Sequence, residues 1–349
     1  MKIKRALALM LAAACLTGLC GCASAEPQKQ SAVGFYLDTV VTLTASVEDV
    51  PVLNDALTEC GRYEQLLSRT IEGSDVWRIN HAEGQPVEVS EDTLAILETA
   101  RQVSEMSDGA FDVTIAPVST MWDFTSGAAV VPDADVIARA AERVDYTKVE
   151  TDGNRVTLPE GMMIDLGGIA KGYIADAVKG YLEQRGVNSA VLSFGGNIVT
   201  IGQKPDGTPW KVGIQDIDKP TGEYMLVALN FGGSTVTSGI YERGFEADGV
   251  YYHHILDPNT GWPVQNELAS VTIFSDSSMW GDALATAAFS LGTKSCRMPR
   301  ARAHSAIGST PGMPRTAPVS ESSPMKAASR GGGGSSPAAA RSPTMIGRS

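Results

Sequence analysis

Met162-Met163-Ile164-Asp165-Leu166-Gly167-Gly168-Ile169-Ala170-Lys171-Gly172-Tyr173-Ile174-Ala175-Asp176 is the densest run of signals in this 349-residue chain. The short apolar run Met162 to Leu166 predicts a strand ending at Asp165, and a helix is predicted from Ala170 to Arg185. Between them Gly167-Gly168 lets another group approach the backbone. A helix start of this kind presents free N–H groups and the positive end of a dipole, which suits a phosphate, and Lys171 adds a point charge in the first turn. The spacing is not a nucleotide P-loop, because the glycines are adjacent and no Ser or Thr follows Lys171. It does not fit the dinucleotide fingerprint either. Taken alone, a Gly-Gly turn before a helix more often reflects tight packing than ligand binding.

Outward from this run, Val33 to Val47 alternates like a strand rich in β-branched residues. Pro51 to Leu67 has its apolar residues at helical spacing, as does Ser90 to Met106 with Ser90 placed to cap it. Asp133 to Val144 follows Pro132 as a third helix. Strands are predicted at Ser189 to Ile201, Trp210 to Ile214, Met225 to Phe231 and Ser270 to Phe274, and a last helix at Asp282 to Leu291. Helices dominate the first and middle parts and strands the second half. The expected fold is α+β: one domain over residues 33–293, a mixed or antiparallel sheet with packed helices, and not a doubly wound sheet.

The chain begins with a positive segment (Lys2, Lys4, Arg5) and an apolar stretch, Ala6 to Gly18, too short to span a bilayer comfortably. It closes on Leu19-Cys20-Gly21-Cys22, which resembles a bacterial lipobox. That implies a signal peptide over 1–21, acylation of Cys22, and a polar tether over 22–32. The alternative is an ordinary signal peptide cut after Ala23 or Ala25. Of five cysteines only Cys60 falls in the body, which leaves no internal disulfide there and puts stability on an ordinary core. At the other end, residues 294–349 hold nine Lys and Arg against the single acid Glu321, a charge of +8, so the rest of a −12 chain carries −20. The acidic body argues against nucleic acid as a partner. The tail is of low complexity and is expected to be disordered, the product of a changed reading frame after Gly292-Thr293.

Further motifs follow the first: Ser193-Phe194-Gly195-Gly196-Asn197, Thr237-Ser238-Gly239, His253-His254-Ile255-Leu256-Asp257-Pro258-Asn259-Thr260-Gly261 and Gly281-Asp282-Ala283-Leu284-Ala285-Thr286. Asp282 and Thr286 lie four apart, so they share a helix face, and a carboxylate with a hydroxyl makes a hard oxygen site suited to Mg²⁺. The competing reading has Asp282 capping the helix and Thr286 in the core.

In order and wording, residues 33–293 resemble the ApbE family of FAD:protein FMN transferases. The resemblance rests on Asp38-Thr39-Val40-Val41-Thr42, Leu67-Ser68-Arg69, Arg78-Ile79-Asn80, Gly109-Ala110-Phe111-Asp112-Val113-Thr114 with Pro117 and Trp122, Asp165 to Gly172, Gly195-Gly196-Asn197, Thr237-Ser238-Gly239, His254 to Gly261 and Asp282 to Thr286. It implies a Mg²⁺-dependent transfer of the FMN half of FAD onto a Thr or Ser hydroxyl of an acceptor protein, with AMP released. It also implies metal ligation by Asp282, Thr286 and the carbonyls of Gly168 and Ala285, and FAD contacts at Leu37, Ala110, Phe111, Asp112, Asp165, Lys171 and Leu256. His254, with an unperturbed pKa near working pH, is the expected base. The implied acceptor belongs to a membrane redox complex or is an extracytoplasmic flavoprotein, and the implied location is the bacterial cell membrane, facing the periplasm or the exterior. Two other readings stay open: hydrolysis of FAD to FMN and AMP, and a flavin-binding lipoprotein without catalysis. The chain departs from the family pattern at Leu37-Asp38-Thr39, where Met-Gly-Thr is usual, and at Thr70, where an aromatic often stands.

Overall fold

The computed structural model describes residues 29–46, 51–217, 219, 222–293 and 346–348. The signal segment, Cys22 and the first part of the tether lie outside the described residues, as does the tail apart from its last strand. In chain order, β1 (Lys29–Tyr36) and β2 (Thr39–Ser46) lead to α1 (Pro51–Leu67), α2 (Asp75–Asn80), β3 (Val87–Glu88) and α3 (Glu91–Met106). Then come α4 (Ala116–Ser119), α5 (Ala134–Ala141), a 3-10 turn at Tyr146–Lys148, β4 (Glu150–Asp152), β5 (Arg155–Thr157) and α6 (Ala170–Gln184). The second half runs through β6 (Ala190–Phe194), β7 (Asn197–Ile201), β8 (Trp210–Gln215), β9 (Tyr224–Asn230), β10 (Gly233–Gly239), β11 (Gly244–Ala247), β12 (Val250–His253) and β13 (Ser270–Ser275). It ends with α7 (Ser278–Leu291) and β14 (Ile346–Arg348).

The main sheet has the order β1-β2-β6-β7-β10-β13-β14, with every neighbouring pair antiparallel. An isolated parallel bridge, Ile115 to Met163, lies outside it. One face of the sheet is apolar because β-strand side chains alternate: Val41, Leu43 and Ala45 of β2 and Leu192 and Phe194 of β6 all point into the core. Against that face pack α1 through Leu53, Ala56, Leu57 and Cys60, and α6 through Ile174, Val178 and Leu182, residues at helical spacing. A second cluster joins β10 and β13 to α7 through Val236, Val271, Ile273, Ala285 and Phe289. The expected α+β class therefore holds.

Several boundaries differ from the sequence reading, each for a local reason. The single strand expected over Val33 to Val47 is a hairpin whose two-residue turn, Leu37-Asp38, has φ of 54° and 55°. Such turns usually carry Asn-Gly, and without glycine the turn left no signature. It is held from outside: Leu37 N donates to Glu64 Oε1 at 2.7 Å and Arg243 Nη2 donates to the Asp38 carbonyl at 2.9 Å. Ser189 to Ile201 is likewise two strands, turning at Gly195-Gly196. The strand expected to end at Asp165 is reduced to the bridge at Met163. The last helix starts four residues before Asp282, at Ser278, with Ser277 as its N-cap, so Asp282 is not its cap. β1 begins at Lys29, inside the expected tether, and Ile346–Arg348 pairs with β13 although the whole tail was expected to be disordered.

Asp38 is the exposed member of the left-handed pair, and Asp38→Gly removes its Cβ from a conformation that L-residues resist. The variant should gain up to about 1 kcal/mol, a rise of about 2–4 °C in a thermal melt. A lower melting temperature would show that the turn is not strained.

Candidate nucleotide and metal site

Gly167-Gly168 and the start of α6 meet α7 at close range. Gly172 N donates to Asp282 Oδ2 at 3.0 Å, and Asp282 is 3 % exposed. A Cβ on Gly172 would lie 2.2 Å from the Ser278 carbonyl oxygen, so the two helices touch backbone to backbone and only glycine fits. Lys171 Nζ donates to the Gly167 carbonyl at 2.8 Å and stands 3.6 Å from Asp282 Oδ2. Thr286 Oγ1 lies 3.6 Å from the point a Cβ on Gly168 would occupy, and Phe111 Cε2 lies 3.1 Å from that point. Gly168, Lys171, Asp282 and Thr286 are thus brought together as expected, with the Phe111 ring against the glycine. Ala285, by contrast, sits mid-helix with its side chain fully buried in the core. Its carbonyl is already an acceptor of the helix ladder, with only its second lone pair to offer.

Asp165 is fixed from three sides: Arg69 Nε at 3.1 Å, Ser119 Oγ at 3.0 Å and Gly167 N at 2.8 Å. Asp112 spends both oxygens on the protein. Thr114 N and Oγ1 donate to Oδ1 at 2.7 and 2.6 Å, and Tyr146 N donates to Oδ2 at 2.9 Å, while burial pushes its carboxyl up. Leu256 is buried in an apolar cluster with Val118, Trp122 and Ile137. Ala110 lines a cavity of about 310 Å³ together with Ser107, Asp108, Asp257, Asn259 and Ser290. Leu37 is at the strained hairpin tip. Gly195-Gly196 serves packing: a Cβ on Gly196 would lie 2.7 Å from the Thr237 carbonyl oxygen.

The two histidines separate cleanly. His253 is buried, with Nε2 donating to the Val264 carbonyl at 3.0 Å and Nδ1 accepting from Ile255 N at 3.3 Å. His254 Nδ1 lies 3.2 Å from the Arg243 carbonyl, which can only accept, so Nδ1 carries the proton and Nε2 keeps a free lone pair. Burial pushes His254 down to about 4, helped by Lys171 and Arg243. The near-neutral value expected from sequence does not hold. Glu242 lies near the same two cations: its carboxyl is pushed up by desolvation against the pull of Lys171 and Arg243. Sequence reasoning missed Glu242, Arg243 and Ser119. Glu242-Arg243, two residues beyond the Thr237-Ser238-Gly239 strand end, was the available signal.

Among the described residues no group of three or more His, Cys, Asp and Glu could hold a metal. The oxygens placed beside Gly168 and the start of α6 are the Asp282 carboxylate and the Thr286 hydroxyl. Both are hard oxygens, and they fit a Mg²⁺-type ion completed by ligand phosphates better than a protein-only cage.

The ApbE family model matches residues 37–306. An FAD:protein FMN transferase of Klebsiella pneumoniae is 41 % identical over 249 residues, 69 % of this chain and 76 % of that protein. Another of that name from Treponema pallidum is 38 % identical over 266 residues, 71 % of this chain and 74 % of the relative. The crystal structure of an ApbE protein from Thermotoga maritima superposes with a TM-score of 0.70 at 34 % identity, covering 76 % of this chain and 87 % of that one.

Gly172→Ala should destabilise the protein by about 1–3 kcal/mol in denaturant unfolding, because a backbone carbonyl occupies the methyl position. A loss below about 0.5 kcal/mol, the scale of an ordinary surface change, would mean that the helices are not in contact there. In an NMR titration the His254 ring should take up its proton near pH 4. The unfolded chain protonates the same ring near 6.5, so His254 lowers stability progressively as pH falls from 6.5 towards 4. A midpoint above 6 would contradict the burial described.

Proposed function

This chain belongs to the ApbE family, and on that premise we infer that it is an FAD:protein FMN transferase. It moves the FMN half of FAD onto an acceptor protein. The observation that carries the reading is the convergence of Gly168 and Lys171 at the start of α6 with Asp282 and Thr286 of α7, a place suited to linked phosphates beside a hard cation.

In the proposed reaction a Thr or Ser hydroxyl of the acceptor attacks the phosphorus on the FMN side of the pyrophosphate. The new O–P bond replaces the bond to the AMP phosphate, AMP leaves with the displaced oxygen, and the hydroxyl proton passes to a base. Lys171 neutralises phosphate oxygens, and the N–H groups at the start of α6 add the field of the helix. His254 is the proposed base: its Nδ1–H is fixed by the Arg243 carbonyl, which aims the unprotonated Nε2 away from the backbone. Asp165, oriented by Arg69 and Ser119, and Phe111, against Gly168, are proposed to hold FAD with Leu37 and Ala110. Mg²⁺ would be held by Asp282, Thr286 and the Gly168 carbonyl, with Ala285 contributing through its carbonyl. Such an ion supplies charge neutralisation and alignment of the two phosphates.

The proposal extends to location. Cys22 carries an acyl anchor on the bacterial membrane, and the enzyme body faces the periplasm or the exterior, where it meets an acceptor from a membrane redox complex or a soluble flavoprotein. The body over 33–293 is proposed as the catalytic domain, with a frame-changed tail after it.

The protein is mixed with FAD, Mg²⁺ and an acceptor domain, then run on a denaturing gel and viewed for flavin fluorescence on the acceptor band. The unaltered protein labels the band. Asp282→Ala should lower the rate by about 10²-fold or more, the usual cost of removing one group that stabilises developing charge. Labelling that survives Asp282→Ala or excess chelator would sink the metal assignment, and release of free FMN without a labelled band would favour hydrolysis.

A further inference from the structure

Asp176 closes the quoted run of sequence, and the reaction proposed above gives it no role. Its side chain leaves α6 and ends at the first turn of α7. Ser278 N donates to Oδ1 at 2.8 Å, Met279 N donates to Oδ2 at 3.0 Å, and Ser277 Oγ donates to Oδ2 at 2.7 Å. The first free N–H groups of α7 are therefore satisfied by a carboxylate from another helix, with Ser277 Oγ taking only Trp280 N, at 3.4 Å. The reverse contact lies one turn away: Asp282, in α7, accepts from Gly172 N near the start of α6, whose N-cap position Ile169 offers no side-chain acceptor. Each helix thus lends a carboxylate to the other's start.

We propose that Asp176 is a positioning residue for the metal and pyrophosphate site, acting by setting where α7 begins relative to α6 and thereby the placement of Asp282 and Thr286 against Gly168 and Lys171. The inference rests on the metal assignment made above. Asp282 is one turn after the capped residues, so a shift of the α7 start moves its carboxylate as part of a stiff helix. Gly172 leaves no slack in the opposite direction, because its Cα already rests on the Ser278 carbonyl. Ser278 is held by both devices: Asp176 binds its N–H and Gly172 packs on its C=O. Outer groups that orient metal ligands usually cost about 10–100-fold in metal affinity when removed.

The test uses full-length protein with FAD and Mn²⁺ as a spectroscopic stand-in, free Mn²⁺ being counted by electron paramagnetic resonance. Asp176→Asn keeps the shape but turns an NH₂ donor toward the helix N–H groups. It should weaken Mn²⁺ binding about tenfold while circular dichroism at the assay temperature stays that of the folded protein. In an Asp282→Asn background the same change should have no further effect, since the ligand it positions is gone. Asp176→Ser, which keeps an acceptor, replaces the first variant should that fail to fold, and should bind Mn²⁺ less well than the unaltered protein. In the unaltered protein, hydrogen exchange at the Ser278 and Met279 amides should slow when Mn²⁺ and FAD are added. Affinity within twofold in the folded variant, a full additive loss on top of Asp282→Asn, or unchanged exchange would each overturn the positioning role and leave the metal assignment standing. Failure of the unaltered protein to bind Mn²⁺ with FAD would overturn both.

Discussion

The hydrogen bond from Gly172 N to Asp282 Oδ2 is the constraint on which the rest of the site depends. It lies across two helices that are 110 residues apart in sequence, and it is possible only because position 172 has no side chain. A buried carboxylate is costly unless its charge is met. Here it is met by a backbone donor at a helix start and by the Lys171 ammonium, so the same group that orders the helices also keeps a negative oxygen at the mouth of the site. Under the metal assignment proposed above, the scaffold and the chemistry share one residue.

Around that contact the chain assembles cations inside an acidic body. Lys171, Arg69 and Arg243 are each tied to the framework: the first to Gly167 and Asp282, the second to Asp165, the third to the hairpin tip at Asp38. Arg243 does double duty, since its carbonyl also takes both the main-chain N–H and Nδ1 of His254. The hairpin turn and the His254 ring are thereby linked through one residue.

The residues of this site were legible where chemistry and local pattern coincide. Gly167-Gly168 before a helix with Lys171 in its first turn, and Asp282 four residues before Thr286, are both short-range signals, and the structure brings them together. What stayed hidden was set by distance. Asp112 and Leu256 carry the family wording, yet the first is absorbed by Thr114 and Tyr146 and the second by the cluster around Trp122; pattern does not show which neighbours will claim a side chain. The Leu37-Asp38 turn escaped because it lacks glycine and is held open by Glu64 and Arg243, far away in sequence. The start of α7 was placed late because Ser278, Met279 and Trp280 owe their helical state to Asp176 and Ser277 rather than to an amphipathic repeat.

The edges of the main sheet carry a practical lesson about the ends of the chain. β1, the first described strand, forms one border and β14, from the last residues, forms the other, with five strands between. At about 4.8 Å per strand spacing the two borders stand about 29 Å apart, and because six antiparallel steps separate them β1 and β14 run parallel, so Lys29 and Arg348 also lie at opposite ends of the sheet. A circular permutant that joins them would need a linker longer than the roughly nine extended residues that cross the sheet alone, and a reporter fused after Arg348 would sit at the β14 border, across the sheet from Lys29.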